Sequence, residues 1–359
     1  MNLRLGRFGL QESAAAVGLA ALISGVFTLN VGETFARGNL CYMATAAGAL
    51  LGLLLLKLLG GALARSGGSD LGDLLAGGPW PLLALPLALG LVLSAALPLL
   101  RFALAMERYI FVEADYVPIV LCLLPVLLLM VLSGMECVAR MAKLLCVPGA
   151  LALGLTLLLA TPAFDSSHLF PLFSPGFAAF LDQTGEALFR FLPPGVALFA
   201  AGRGCQGRRY VQGGVSRGLL LGGAGATLLQ LGLGLTFFGP DLSSLSGPVY
   251  CMTMAARQER LGLRLDVLVL FLWVMTGLVA AAFYLYAGAL LLCRATGVED
   301  VRPVGALLVL LGAGLVLLFN FDAAPIQSNL RLIYRWGQLL FLAPMGLLLI
   351  RSLLGGRGR

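Results

Sequence analysis

Between Phe191 and Gly202 the sequence runs twelve residues without a charge, and near its start stand Pro193, Pro194 and Gly195. Proline lacks an amide hydrogen, so two in succession cannot continue an ordinary helical hydrogen-bond ladder. Glu186 and Arg190 precede them at i,i+4 spacing, which puts both on one helix face. The chemistry on offer is recognition by backbone dipoles. A helix broken inside a water-poor environment presents free N–H groups that can meet an anionic group such as a carboxylate. A simple kink, or a helix that begins at Pro193 after a surface loop, fits the same residues.

A second constellation lies near the start of the chain, where Ser24, Gly25, Thr28 and Asn30 fall in Ile-Ser-Gly-Val-Phe-Thr-Leu-Asn. A glycine flanked by hydroxyl residues can unwind locally and expose backbone groups. Close packing of small residues between helices accounts for it equally. Further on, Glu259, Arg260, Arg264 and Asp266 precede a long apolar run containing Trp273, Phe283, Tyr284 and Tyr286. Asp266 suits a helix N-terminus and Arg264 can extend to the interface, so anchoring and packing explain this group. The single histidine, His168, reads as a surface residue.

No nucleophile stands with a base, and no phosphate-binding loop or dinucleotide fingerprint occurs. The expectation is a protein that is not an enzyme and needs no cofactor. The seven cysteines form no C-x-x-C pair, and with one histidine neither a zinc site nor a disulfide framework is expected.

The elements that must position these groups follow from composition. Hydrophobic residues make up 60% of 359, charged residues only 11%, and the mean hydropathy is +0.97. A soluble domain of this size could not cover its surface with so few charges. Charge-free stretches fall at 13–32, 38–56, 74–100, 116–135, 144–164, 218–240, 267–293 and 303–321. Each is about as long as the roughly 20 residues a membrane-crossing helix needs. Two shorter apolar stretches, 191–202 and 336–350, bring the count to ten. The sixth must include Glu186 and Arg190 to complete its crossing. Arg4 and Arg7 before the first run resemble the start of a signal peptide, but the run is too long and reads as the first span.

Ten spans put both termini on one side. With the N-terminus cytoplasmic, 15 of the 24 Lys and Arg fall inside and 9 outside, while the acidic residues divide 6 to 11. The inside is then +9 and the outside −2, as the excess of Lys and Arg in cytoplasmic loops requires. The net charge of +7 therefore belongs to membrane topology and not to nucleic acid. Loops are short. Residues 61–79 suggest an interfacial helix capped by Asp70 or Asp73, and residues 239–262 an outer surface or re-entrant helix.

Several motifs, in order, resemble the endospore germination permeases, the B subunits of nutrient germinant receptors in the amino acid–polyamine–organocation superfamily. Ser-Gly-Met-Glu-Cys-Val-Ala-Arg at 133–140 is similar to their Gly-x-Glu-x-Ile/Val-Ala-Arg. His-Leu-Phe-Pro-Leu-Phe-Ser-Pro-Gly at 168–176 is similar to an outer-loop stretch. Pro248 to Arg257, followed by Glu259, Arg260, Leu261, Arg264, Asp266 and Trp273, resembles the entry to their eighth span. Asn30 stands near where the family carries a proline in span one.

The resemblance implies an all-α, LeuT-like bundle in one permease domain covering 1–359. It comprises a five-plus-five inverted repeat, about 10–162 and about 181–355, with spans one and six broken. It implies a small nutrient, an amino acid above all, held between spans one, three, six and eight. Ser24, Gly25, Thr28, Asn30, Ser94, Phe191, Pro193, Pro194 and Thr276 would form that site. Glu136 with Arg140 at the cytoplasmic end of span four, Glu186 with Arg190, and Arg264 with Asp266 would have structural or gating roles. Implied partners are the membrane-anchored A subunit and lipoprotein C subunit of the receptor, and the implied location is the spore inner membrane. An amino acid secondary transporter of the same superfamily is the alternative. Single cysteines placed at positions 2 and 358 should escape membrane-impermeant maleimide added outside sealed cells; labelling of either would refute the ten-span topology.

Overall fold

The computed structural model describes residues 6–27, 40–68, 70–75, 79–111, 115–170, 176–237, 248–255, 265–318, 333 and 336–355. Ten long helices run through them: α1 (Leu10–Phe27), α2 (Cys41–Arg65), α3 (Ala84–Tyr109), α4 (Tyr116–Ser133), α5 (Met135–Ala160), α6 (Gly176–Ala200), α7 (Arg208–Thr236), α8 (Leu265–Thr296), α9 (Val301–Leu318) and α10 (Leu339–Gly355). Eight are long and apolar enough to cross a membrane, α6 and α10 being the exceptions. Each corresponds to one of the ten apolar stretches of the sequence, so ten spans stand.

The boundaries differ from the charge-free runs because charges enter the helix ends. α5 begins nine residues before its apolar run and carries Glu136, Arg140 and Lys143 in its first turns. α6 takes in Asp182, Glu186 and Arg190. It is exceptional in that every residue from Ala187 to Ala200 is buried. A helix apolar on all sides belongs inside a bundle, and this one is shielded from lipid by its neighbours. Leucines with exposed side chains, among them Leu54, Leu144, Leu158, Leu221 and Leu310, lie on the outer helices instead. In a bilayer such exposure costs nothing, because lipid tails are as apolar as leucine.

At the centre, α1 packs against α7, α5, α6 and α8. Its closest partner is α7, and glycine makes the approach possible. A Cβ on Gly218 would stand 2.7 Å from the Ala14 carbonyl oxygen and 2.6 Å from Val17 Cβ. One on Gly222 would stand 2.3 Å from the Gly18 carbonyl oxygen. The two backbones touch, and only small residues at four-residue spacing allow it.

Two short helices decorate the ends. Leu71–Leu75 sits between α2 and α3, and Pro248–Ala255 lies between α7 and α8 against α5. The second falls in the segment where an outer surface or re-entrant helix is expected. Tyr250 of this helix donates to Asp266 Oδ2 at 2.6 Å, and its ring lies tilted against that of Tyr109, centroids 4.9 Å apart. Asp266 thus opens α8 with a fixed tyrosine partner.

Because the Gly222 contact is with backbone, it cannot be relieved by a rotamer change. Gly222→Ala should destabilise the bundle by about 1–3 kcal/mol, the cost of overpacking a tight interface, read as a lowered thermal midpoint in detergent. Gly314→Ala, on α9 with no atom within 4 Å, serves as the neutral control; equal midpoints for the two variants would contradict this account.

Candidate functional site

The expected break in span six is not there. α6 runs as helix from Gly176 to Ala200 with Pro193 and Pro194 inside it. Proline's fixed φ suits a helix, and what two prolines remove is the hydrogen bonding. Neither residue has an N–H to give to the carbonyls four positions earlier, at Phe189 and Arg190. The ladder is therefore interrupted without unwinding, which is tolerated at membrane depth because this half of α6 is enclosed by protein. Span one ends its described helix at Phe27. Thr28 and Asn30 lie outside the described residues, as does Arg264.

The open cavity expected beside Ser24 and Gly25 is also replaced by contacts. Ser24 Oγ and Tyr284 Oη are 2.7 Å apart, and the tyrosine hydroxyl also donates to the Ala20 carbonyl at 3.1 Å. Gln230 Nε2 donates to the Gly25 carbonyl at 2.7 Å, while Thr45 Oγ1 donates to Gln230 Oε1 at 2.5 Å. A Cβ on Gly25 would fall 2.5 Å from Ala226 and 3.1 Å from the Phe191 ring. Phe191 is completely buried and also faces Gly52 of α2. The centre is thus a closed polar cluster joining α1, α2, α7 and α8, roofed by the Phe191 ring. Beside it, Phe27 packs against Phe102 at 4.5 Å and Trp273 at 5.3 Å, and Trp273 Nε1 donates to Thr156 at 3.1 Å.

Of the expected site residues, Ser24, Gly25 and Phe191 come together. Ser94 and Thr276 are buried, but their hydroxyls bond their own helices, Ser94 to the Gly90 carbonyl and Thr276 to those of Leu272 and Trp273. Pro193 and Pro194 lie within the buried half of α6, and Arg190 is 4% exposed, next to Cys41 of α2. Gln230 and Thr45 were missed. Gln230 is an amide inside the charge-free run 218–240, a signal available in the sequence, since a polar side chain at that depth must find a partner.

Glu136 and Arg140 do pair, but in the first turns of α5; span four has already ended at Ser133. Gly134, with φ of +93°, separates the two helices. Glu136 also accepts from the Arg7 amide at 3.1 Å. Gly6, at φ +68°, approaches so closely that a Cβ would lie 2.1 Å from Glu136 Oε2. Phe8 N donates to the Gly204 carbonyl at 3.1 Å. The segment before α1 is therefore strapped between the start of α5 and the turn after α6.

A latch closes the same end of the bundle. Asp70 caps the Leu71–Leu75 helix, accepting from Asp73 N at 3.0 Å, while Asp73 returns the bond to Asp70 N at 3.2 Å. Asp70 is 1% exposed, and its Oδ2 takes Arg203 Nε at 3.0 Å and Arg294 Nη2 at 3.1 Å. Arg203 also reaches Asp73, and Arg351 bonds the Leu74 carbonyl and lies 5.1 Å over the Trp80 ring. The ends of α6, α8 and α10 are thereby gathered on one five-residue helix. Burial raises the Asp70 carboxyl above the ordinary aspartate value, against the pull of Arg294 and Arg203. A raised folded value means that the stability contribution is complete below the unfolded aspartate's pKa and is lost as pH rises through the folded one. Burial thus works against the Asp70 charge that the two arginines favour.

The chain superimposes on a nucleobase-cation-symport-1 family transporter, solved closed with bromovinylhydantoin bound, with TM-score 0.66 and 15% identity, covering 97% of this chain and 80% of that one. It also superimposes on a Na+-coupled sialic acid symporter in a substrate-bound outward-open state, with TM-score 0.64 and 10% identity, covering 95% and 79%. The chain is a multi-pass membrane protein with a LeuT-type transporter fold. Residues 81–210 match the spore permease family, described as spore germination protein, which bears out the resemblance read from the motifs at 133–140 and 168–176. No curated protein matches the sequence.

The latch makes a local prediction. Cys293 is fully buried one residue before Arg294. In a chain retaining only this cysteine, Asp70→Asn should raise its maleimide labelling rate roughly tenfold, as for a 1.4 kcal/mol easier local opening. An unchanged rate would show that Asp70 does not hold the end of α8.

Proposed function

We propose that this chain is the permease-like subunit of a spore germinant receptor, in which a small nutrient, an amino acid in the first instance, binds at the centre of the bundle. The observation that carries the reading is the buried polar cluster of Ser24, Tyr284, Gln230, Thr45 and the Gly25 carbonyl. In a transporter fold it lies where α1, α2, α7 and α8 meet. These groups satisfy one another in the closed centre, so a ligand bearing a carboxylate and an amine would replace existing hydrogen bonds and would not need to create sites in apolar surroundings. Phe191 would swing aside to admit it.

Ligand exchange at the centre would favour one of two arrangements of the bundle, and the Asp70 latch would report the difference at the basic end. That end would be cytoplasmic, with both termini, and the protein would sit in the spore inner membrane with the receptor's A and C subunits as partners. The inverted repeat would divide between α5 and α6. Transport is the second reading, favoured by the likeness to two symporters; rapid amino acid uptake by the chain alone in proteoliposomes would support it over sensing.

Gln230→Met and Tyr284→Phe keep side-chain volume while removing the central hydrogen bonds. Spores carrying either variant should accumulate the protein normally yet need at least about tenfold more nutrient to germinate, as expected for loss of one or two hydrogen bonds to ligand. Unchanged nutrient sensitivity in both variants would place the ligand elsewhere.

A further inference from the structure

The basic end of the bundle carries a cleft of about 500 Å³ that the central site does not use. Its walls come from the strap before α1 and the first turn of α1 (Arg7, Gln11, Glu12), the start of α5 (Arg140), the turn after α6 (Gln206) and the first third of α7 (Arg217). Charge is unevenly matched there. Lys143 Nζ is held by Glu12 Oε1 at 2.8 Å, and Arg140 is paired with Glu136. Four cations, Arg7, Arg140, Lys143 and Arg217, thus face two carboxylates, Glu12 and Glu136, leaving an excess of +2. Among the described residues, the guanidinium groups of Arg7 and Arg217 have no ion pair, and both side chains are exposed.

The surroundings say what kind of anion fits. Arg217 is followed on its own helix face by Leu221 and Leu228, 72% and 50% exposed. Arg140 is followed in the same way by Leu144, Val147 and Leu151, each more than half exposed. Each arginine therefore heads an apolar stripe that runs toward the middle of the membrane, and the stripes belong to two helices that touch. A soluble phosphate would use the arginines and ignore the stripes. A phospholipid uses both, with its headgroup phosphate between the cations and its acyl chains along the leucines.

We infer that this cleft binds the phosphate headgroup of an anionic membrane lipid. By occupying it, the lipid bridges the strap, α5 and α7, and so steadies the start of α1. The site is independent of the nutrient reading, since it lies at the end of the bundle and involves none of the central cluster.

Thermal unfolding of the full chain in neutral detergent tests this with phosphatidylglycerol as the probe. Phosphatidylglycerol should raise the midpoint, and phosphatidylcholine or inorganic phosphate at the same concentration should not. Arg7→Gln with Arg217→Gln should lower apparent phosphatidylglycerol affinity roughly thirtyfold, at about fivefold per lost cation, with an unchanged midpoint before lipid is added. Arg7→Lys with Arg217→Lys should retain most of the response. An equal shift from phosphatidylcholine, or from inorganic phosphate, would overturn the assignment, as would full phosphatidylglycerol response in the Gln variant. Wild-type selectivity between the two lipids decides the matter even if the Gln variant unfolds.

Discussion

Backbone contact between α1 and α7 is the constraint on which the rest of the structure hangs. Inside a membrane no hydrophobic force draws one apolar helix to another, so association depends on how closely the surfaces fit. Gly218 and Gly222 let α7 approach until its axis is limited by the carbonyls of Ala14 and Gly18. That depth of contact fixes the rotation of α1 and aims Ser24 at Tyr284 and the Gly25 carbonyl at Gln230. Were the glycines larger, the helices would separate, and the 2.7 Å hydrogen bonds of the centre would stretch beyond reach.

Two devices then let the bundle hold polar groups in a poor solvent. At the centre, the hydroxyls of Ser24, Tyr284 and Thr45, the Gln230 amide and the Ala20 and Gly25 carbonyls bond to each other, which offsets the cost of taking them out of water. At the basic end, charges are paired across elements, with Asp70 serving two arginines and Glu136 serving both Arg140 and the Arg7 amide. The first device is neutral and closed, the second charged and near water. The neutral bonds carry no desolvated charge, whereas the buried Asp70 carboxylate is held against the cost of its burial by two arginines.

Most of the architecture was legible in the sequence because membrane burial is written as uninterrupted apolar length. All ten helices answer to stretches free of charge, and the motif at 133–140 lies within the segment that matches the spore permease family. The side-chain pattern was less legible where a residue's role depends on who faces it. Pro193 and Pro194 suggested a break, but proline's backbone angles fit a helix and only the missing bonds differ, which the sequence cannot distinguish. Asp70 read as a helix cap, and it is one; that it also receives Arg203 and Arg294, 133 and 224 residues away, follows only from packing. Gln230 looked like one polar residue in an apolar run until the Gly25 carbonyl and Thr45 were brought to it. Glu136 and Arg140 were placed on the wrong helix because Gly134 divides two spans with no loop between them.

The strap before α1 also bears on how the protein is made. Gly6 and Arg7 are synthesised well before Glu136, against which they rest, and Phe8 well before Gly204. The principal partner of α1, helix α7, begins only at Arg208. α1 therefore meets α3 and α5 before its principal partner has been made. Its final seat forms late in synthesis, when α7 arrives and the amino-terminal segment is drawn under Glu136. The glycine face of α1 that α7 covers thus stays open to lipid until α7 has been made.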